Sequence, residues 1–379
     1  MKTLNPKLTA LSRRLDPIWR PVAWMLRLPR SAPVGSPPQR ILIVEVHLIG
    51  DVVMLIPLLR AVRRAYPQAH VALLAGPWAA PLLESERLVD EIIQFKAPWA
   101  VYRQGWLGLV GTLRALREIR KQHWDWAIDA RGDVRNILML ALSRASRRIG
   151  YDFTGGAALL SDVVPDTGRL RHNVDHHVTL AHYLGLEVSQ DERVPTLDAG
   201  RRRAAVNLMP RVGFHFGASL ALRRMPIEEA VSLLLHASSK CQQHLILIDA
   251  ADTKDFNSEL LARIPSTSAQ QIERWTGTLS ELKDFLGTLD AFYAMDSGPA
   301  HIAAALGVKT TVFFGPNRSE ASRPRGNRVT VVERNEVRCR PCDQHVCTNS
   351  HHQECLVGIV RRIDRPNAAP RVSESSRRA

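Results

Sequence analysis

The residues best suited to chemistry in this chain lie in 290–316, DAFYAMDSGPAHIAAALGVKTTVFFGP. Asp296 is of a type that accepts a sugar hydroxyl, and Ser297 and His301 can donate toward an anion. Around them, 291–295 and 310–314 are apolar runs of strand length, and 300–306 carries helix formers stopped by Gly307. Asp296-Ser297-Gly298 is expected to supply capping side chains and a flexible backbone, with Pro299 at the first helical position. The result is strand–loop–helix–strand, with the polar loop at the positive end of a helix, where free N–H groups suit a phosphate. The dipole alone contributes ~0.3–1 kcal/mol at an exposed site, so side-chain partners are required. Spacing leaves a second reading open, a capped buried helix of any α/β protein.

Two further loops carry candidate residues. His47-Leu48-Ile49-Gly50-Asp51 follows an apolar run at 41–46, and Asp51 is read as the cap of a helix running to about Tyr66, kinked early by Pro57. Gly217-Ala218-Ser219 follows a run at 212–216, with Arg223 and Arg224 in the same loop and a helix after Pro226 that has Glu228 and Glu229 in its first turn.

The elements that must position these loops alternate. Strands at 41–46, 71–74, 91–95 and 127–128 are separated by helices at 51–66, 78–86 and 107–122. A second series has strands at 212–216, 245–248, 291–295 and 310–314, with helices at 253–263 and 279–288. Such βαβα alternation predicts doubly wound parallel sheets, in which ligands bind beyond the carboxyl ends of strands. Gly50 and Asp51 then stand at a binding edge. Residues 147–160, RRIGYDFTGGAALL, read as a loop-rich region, and Arg201–Arg203 with Pro210 mark a boundary between two units.

Length and composition bound the class. A chain of 379 residues with 45% hydrophobic and 23% charged residues has room for two globular domains. Its net charge of +14 and pI of about 10.2 point to an acidic partner, whether nucleic acid, an anionic membrane surface or a phosphorylated substrate. Nucleic acid fits least, because the basic residues are spread along the chain and no basic helix has base-reading spacing. No segment reaches the ~18–20 apolar residues of a membrane span, and Arg20 and Arg27 interrupt a secretory h-region. Five cysteines, an odd number, suit a reducing compartment, so the expected location is cytoplasmic.

The remaining segments divide as follows. Residues 1–38 read as a basic leader and linker outside the fold, either a solvated tail or an interfacial segment, since its cations alternate with Trp19, Val22, Trp24, Met25, Leu26 and Leu28. The N-terminal domain is expected at 39–200, the C-terminal domain at 201–335, a cysteine-containing segment at 336–363 and a disordered tail at 364–379. His172, His176, His177 and His182 lack a ligand spacing and read as a basic face or plain surface. Cys339, Cys342, Cys347 and Cys355 form C-x2-C-x4-C-x7-C with His345, His351 and His352 among them. A four-thiolate zinc site is physically open to them, but a second C-x2-C is missing.

Three blocks in order resemble glycosyltransferase family 9, the ADP-heptose:lipopolysaccharide heptosyltransferases. They are ILIVEVHLIGDVVMLIPLLRAVRRAYP at 41–67, VGFHFGASLALRRMP at 212–226 and MDSGPAHIAAALG at 295–307, with GTLSEL at 277–282 upstream of the last. The resemblance spans roughly residues 40–360. It implies a GT-B architecture: two Rossmann-like domains facing across a cleft, the acceptor on the first and the nucleotide sugar on the second. It also implies inversion at the anomeric carbon, no required metal or cofactor, and an ADP-sugar donor. The implied acceptor is an anionic glycolipid of the lipopolysaccharide core or a related kind, met at the cytoplasmic face of the inner membrane. By the same resemblance Asp51 would be the general base, and Arg223 the cation on the donor diphosphate with Arg224 beside it. Gly217, Ala218 and Ser219 would line the phosphates, and Thr278 would lie near the adenine. Asp296, Ser297, Gly298 and His301 would hold diphosphate and sugar, and Glu45, His47 and Gly50 would form the acceptor side.

This sequence departs from the family pattern in places. Glu45 stands where arginine is common, and His47 where a small hydroxyl residue is. Arg223 replaces lysine, Phe216 proline, Met225 tryptophan and Met295 asparagine, and Asp249-Ala250 replaces a glycine pair. These changes leave two other functions in view, a sugar-nucleotide epimerase or hydrolase on the same fold, and a non-catalytic nucleotide-sugar binder.

Overall fold

In a computed structural model, residues 16–28, 37–100, 105–166, 172–198, 209–239, 243–250, 253–342 and 346–363 are described. The chain forms two compact units, one of Met1–Asp198 with Glu320–Ser322, the other of Ala199–Ser319 with Arg323–Ala379.

The first unit begins with α1 (Asp16–Met25), then β1 (Arg40–Glu45), α2 (Ile49–Ala65), β2 (His70–Ala75), α3 (Ala79–Leu83) and β3 (Glu91–Gln94). It continues with α4 (Gly105–Ile119), β4 (Trp126–Asp129), α5 (Val134–Leu142), β5 (Arg147–Gly150), β6 (Asp162–Val163) and α6 (Asn173–Tyr183). Its sheet is parallel throughout, in the order β3-β2-β1-β4-β5-β6. Strands β1 and β2 are buried from their second residue onward. That is why both read as unbroken apolar runs, as strands covered on both faces must.

Two expectations fail here. The leader is not wholly outside the fold: Trp19, Val22, Ala23, Leu26 and Leu28 pack against the core of this unit, and Gly156 N–H donates to Asp16 Oδ1 at 2.7 Å. Periodicity hid this docking because Pro21 lies inside the helix, where it is usually disfavoured. Residues 147–160 are not simply loop, since β5 lies within them. Its apolar signal is broken by Arg148, which is 1% exposed and donates to the carbonyls of Leu159 and Ala145 at 2.9 and 3.0 Å.

The second unit holds β7 (Arg211–His215), α7 (Ile227–Ser238), β8 (His244–Asp249), α8 (Lys254–Ala262), α9 (Ser266–Ala269) and β9 (Ile272–Thr276). Then come α10 (Leu279–Leu286), β10 (Ala291–Met295), α11 (Gly298–Ala305), β11 (Lys309–Phe314) and β12 (Val329–Glu333); the short α12 (Ser319–Ser322), between the last two strands in sequence, has its last three residues grouped with the first unit. Its sheet is also parallel, in the order β12-β11-β10-β7-β8-β9. The cysteine-containing segment belongs to this core through Val337, Cys355, Leu356, Ile359 and Val360. Glu229 on α7 fastens it by accepting from the N–H groups of Gly358 and Val360 at 2.7 and 3.2 Å. The tail at 364–379 lies outside the described residues.

The strand order therefore reverses once in each sheet, between β1 and β4 in the first unit and between β7 and β10 in the second. In open α/β sheets the crevice beyond the strand ends at such a point is where ligands bind.

Candidate active site

Asp51 follows β1, but it does not cap α2. The helix begins two residues earlier, Leu48 is the extended N-cap residue, and Asp51 sits in the first turn. From there Asp51 Oδ2 accepts the Leu48 N–H at 3.0 Å, a bond back to the chain entering the helix. Its other oxygen, Oδ1, accepts from Arg131 Nη1 at 2.6 Å, with the two side chains 13% and 9% exposed. Burial works to raise the Asp51 pKa, but the charges of Arg131 and His47 and the Leu48 N–H override it. The carboxyl is held well below the usual range.

Arg131 comes from the loop after β4, a stretch the sequence reading left out. The same loop is shaped around Asp129, which is fully buried and accepts from Gly132 N, Asp133 N, Arg131 N and Asn136 Nδ2 at 2.6, 3.2, 3.3 and 3.0 Å. Gly132 takes φ +74°, and a Cβ there would meet the Phe153 ring at 2.5 Å. Burial pushes the Asp129 carboxyl up to about 7; the charges of Asp133 and Glu45 add to this, against its hydrogen bonds. Asp133 then caps α5, accepting the Arg135 N–H at 2.9 Å. A polar loop directly after a strand next to β1 is the signal that could have found these residues.

Glu45, at the end of β1, has no exposed surface. Its Oε1 accepts from His47 N and His47 Nδ1, both at 3.1 Å, while Oε2 is buried without a hydrogen-bond partner. Burial acts to raise its pKa, yet the His47 bond and the Arg131 charge leave it below its ordinary value. His47 is 8% exposed and Gly50 is buried. The structure thus brings Glu45, His47, Gly50 and Asp51 together and adds Arg131, Asp129, Asp133 and Asn136.

The histidine row of α6 is not a basic face. His172 caps the helix by accepting the Val174 N–H at 3.2 Å, and His176 stands edge-on to the rings of Tyr151 and Phe153. His177 is buried and donates from Nδ1 to the Met54 carbonyl at 2.8 Å, with burial lowering its pKa. Only His182 is exposed.

In the second unit the loop after β7 begins with Gly217, where a Cβ would stand 2.5 Å from Thr253 Cγ2. Ala218 is buried and Ser219 exposed. Arg224 Nε donates to the Ala218 carbonyl at 3.3 Å, which braces this loop. Arg223 Nη1 lies 3.7 Å from Asp296 Oδ2, and its Nε is buried without a partner. Asp296 also accepts from Asn317 Nδ2, a residue the sequence reading missed.

The expected cap of α11 differs from the one found. Ser297 is the N-cap residue by its backbone, yet no side chain bonds the helix start, and Pro299 is the second helical residue after Gly298. The reason is local: Asp296 is occupied by Asn317 and Arg223, while Ser297 Oγ is buried with no partner. His301 is buried one turn further along. Thr278 does cap α10, accepting the Glu281 N–H at 3.3 Å while its own N–H donates to Glu281 Oε2 at 2.7 Å.

The four tail cysteines are free thiols ranging from exposed Cys339 to buried Cys355, whose thiol burial pushes up to about 11. Among the described residues no group of three or more His, Cys, Asp or Glu is arranged to hold a metal. His345 lies outside them.

Two parallel sheets of Rossmann strand order, each with a polar cluster at its reversal point, define an α/β protein of GT-B type. The model of glycosyltransferase family 9 (heptosyltransferase) matches residues 112–353, and the chain belongs to that family. It is 24% identical over 311 residues to lipopolysaccharide heptosyltransferase 2 of Escherichia coli K12, covering 77% of this chain and 87% of that one. In three dimensions it resembles E. coli ADP-heptose LPS heptosyltransferase II, with TM-score 0.66, 20% identity and coverage of 84% and 94%. It also resembles E. coli heptosyltransferase WaaC with ADP-2-deoxy-2-fluoro heptose, with TM-score 0.63, 17% identity and coverage of 77% and 92%.

Proposed function

We propose that this protein moves a heptose from ADP-heptose onto a lipopolysaccharide-core or related glycolipid acceptor, by a single inverting displacement that needs no metal or cofactor. Donor and acceptor follow the names its relatives carry. The observation that most supports the reading is the Asp51 carboxylate, held ionised beyond β1 at the strand-order reversal.

In the proposed step an acceptor hydroxyl oxygen bonds to the anomeric carbon. The bond from that carbon to the β-phosphate oxygen of ADP breaks, and its electron pair leaves with ADP. The hydroxyl proton passes to Asp51. A carboxylate with a lowered pKa is a weak base toward a free alcohol, but the hydroxyl turns acidic as its oxygen bonds carbon, and Asp51 is ionised at every working pH. His47 and Gly50 would meet the acceptor, with Glu45 acting through His47.

On the donor side, fixed positive charge must meet the departing diphosphate. Arg223, Arg224, the backbone of Gly217–Ser219 and the start of α11 would supply it without a divalent ion. Ser297 and His301 would add donors, Asp296 and Gly298 would hold the sugar, and Thr278 would border the adenine. The acceptor is lipid-linked, so the working place would be the cytoplasmic face of the inner membrane, held peripherally, with no nucleic-acid partner. No helix among the described residues is long and apolar enough to cross a membrane.

A non-catalytic nucleotide-sugar binder is the second reading, favoured by the 13% exposure and ion pairing of Asp51. Turnover with purified acceptor separates the two. The wild type should consume ADP-heptose only when acceptor is present, and Asp51→Asn should bind donor normally while losing ~10²–10⁴-fold in turnover. Unchanged turnover would remove Asp51 from its role, and donor binding without consumption would favour the binder.

A further inference from the structure

Helix α1 is apolar on two sides. Its inner side covers the core of the first unit through Trp19, Val22 and Ala23. On the outer side Ile18 is 53%, Trp24 80% and Met25 69% exposed. Arg20 and Arg27 are exposed with them, and the one acid of the helix, Asp16, is engaged by Gly156 N–H. The fifteen residues before the helix add Lys2, Lys7, Arg13 and Arg14 and contain no acid.

A tryptophan left four-fifths in water gains nothing for the fold, because its apolar area is not removed from solvent. Combined with cations and an absence of anions, such a face matches one environment. Indole and aliphatic groups favour the boundary of headgroups and acyl chains, and guanidinium groups favour lipid phosphates. Ten residues of helix reach ~15 Å, half the hydrocarbon thickness, so α1 can lie in that boundary and cannot span it.

We propose that the outer face of α1 docks this protein on an anionic lipid bilayer, with Ile18, Trp24 and Met25 entering the interface and Arg20 and Arg27 at the lipid phosphates. The inference deepens the proposed glycolipid transfer by naming the surface that reaches the membrane. The net charge of +14 adds a long-range attraction to the same leaflet.

The test is co-sedimentation of the full-length protein with vesicles of phosphatidylcholine alone or mixed with phosphatidylglycerol, with no acceptor present. Wild type should partition onto the anionic vesicles, less so as salt rises. Arg20→Glu with Arg27→Glu should weaken partition at least ~10-fold, as the loss of two near-surface cations implies. Trp24→Ser with Met25→Ser should weaken it comparably. All of these proteins should melt like wild type and transfer sugar equally to a delipidated, water-soluble acceptor, so a failure of transfer chemistry is read separately. Exposed apolar residues on α4, Leu109 and Leu113, provide the contrast, and Leu109→Ser with Leu113→Ser should leave partition unchanged.

Three results would overturn the proposal. One is equal partition onto neutral and anionic vesicles, or onto neither. Another is loss of binding from the α4 substitutions with none from those on α1. The third is a wild-type dimer in sedimentation velocity that Trp24→Ser dissociates, which would make a second copy the occupant of this face.

Discussion

Arg131 Nη1 donates to Asp51 Oδ1 at 2.6 Å, so the guanidinium that neutralises the carboxylate after β1 comes from 80 residues further along the chain. Both groups are nearly enclosed, and neither would sit there alone. Arg131→Ala leaves a buried carboxylate uncompensated and should cost ~3–5 kcal/mol, read as a lower urea midpoint. Arg131→Lys keeps the charge but not the planar fork, and should fall between the two.

The same substitution carries a prediction about turnover. Without the Arg131 charge the Asp51 pKa rises, so Arg131→Ala should gain an acid limb in its turnover profile that wild type and the charge-keeping Arg131→Lys lack. A profile that loses height without moving would give Arg131 a purely structural role.

Asp129 sets a pH dependence of opposite sign. Its folded pKa is raised to about 7, above the unfolded carboxylate value. The folded state therefore holds a proton that the unfolded state has lost, and the stability linked to it disappears as pH rises through the folded value. Thermal midpoints of the wild type should fall between about pH 5 and about pH 8, and Asp129→Asn, which cannot titrate, should fall less.

Gly217 tests the close packing of the loop after β7. A Cβ there would stand 2.5 Å from Thr253 Cγ2, so Gly217→Ala overpacks the site. A loss of ~1–3 kcal/mol is expected. Thr253→Ser removes that methyl while keeping the hydroxyl that accepts the Ala250 N–H at 2.9 Å. The double variant should therefore recover most of the loss, a coupling measurable as a double-mutant cycle.

Arg223 is the proposed cation for the donor. Arg223→Ala should weaken ADP binding by ~10–100-fold in calorimetry, the span of a charge-assisted hydrogen bond. It also leaves Asp296 with Asn317 as its remaining side-chain partner among those described, so an added loss of thermal stability is expected. Undiminished ADP affinity would place the diphosphate elsewhere.

Several strands were legible because burial on both faces leaves an unbroken apolar run: β1, β2, β7, β8, β10 and β11 stand within a residue or two of their expected bounds. Others were hidden by their surroundings. Strand β9 (IERWT) buries only its first residue, and the short β5 (RRIG) carries a buried arginine satisfied by distant carbonyls. Helix α1 packs despite its proline, through contacts that no local pattern announces. At the site, Asp51, Arg223, Asp296 and His301 stood out by type and spacing. Arg131, Asp129 and Asn317 did not, because their partners lie far away in sequence.

The sequence by itself determined two rounds of strand–helix alternation and the loops after β1, β7 and β10, since period, caps and glycines act over a few residues. Which loops meet within each unit was decided only by tertiary structure. Strand β4 lies beside β1, and β10 beside β7, through hydrogen-bond pairing across long stretches of chain. That pairing brings Arg131 to Asp51 and Arg223 to Asp296, and burial then sets the charge state of the carboxylate after β1.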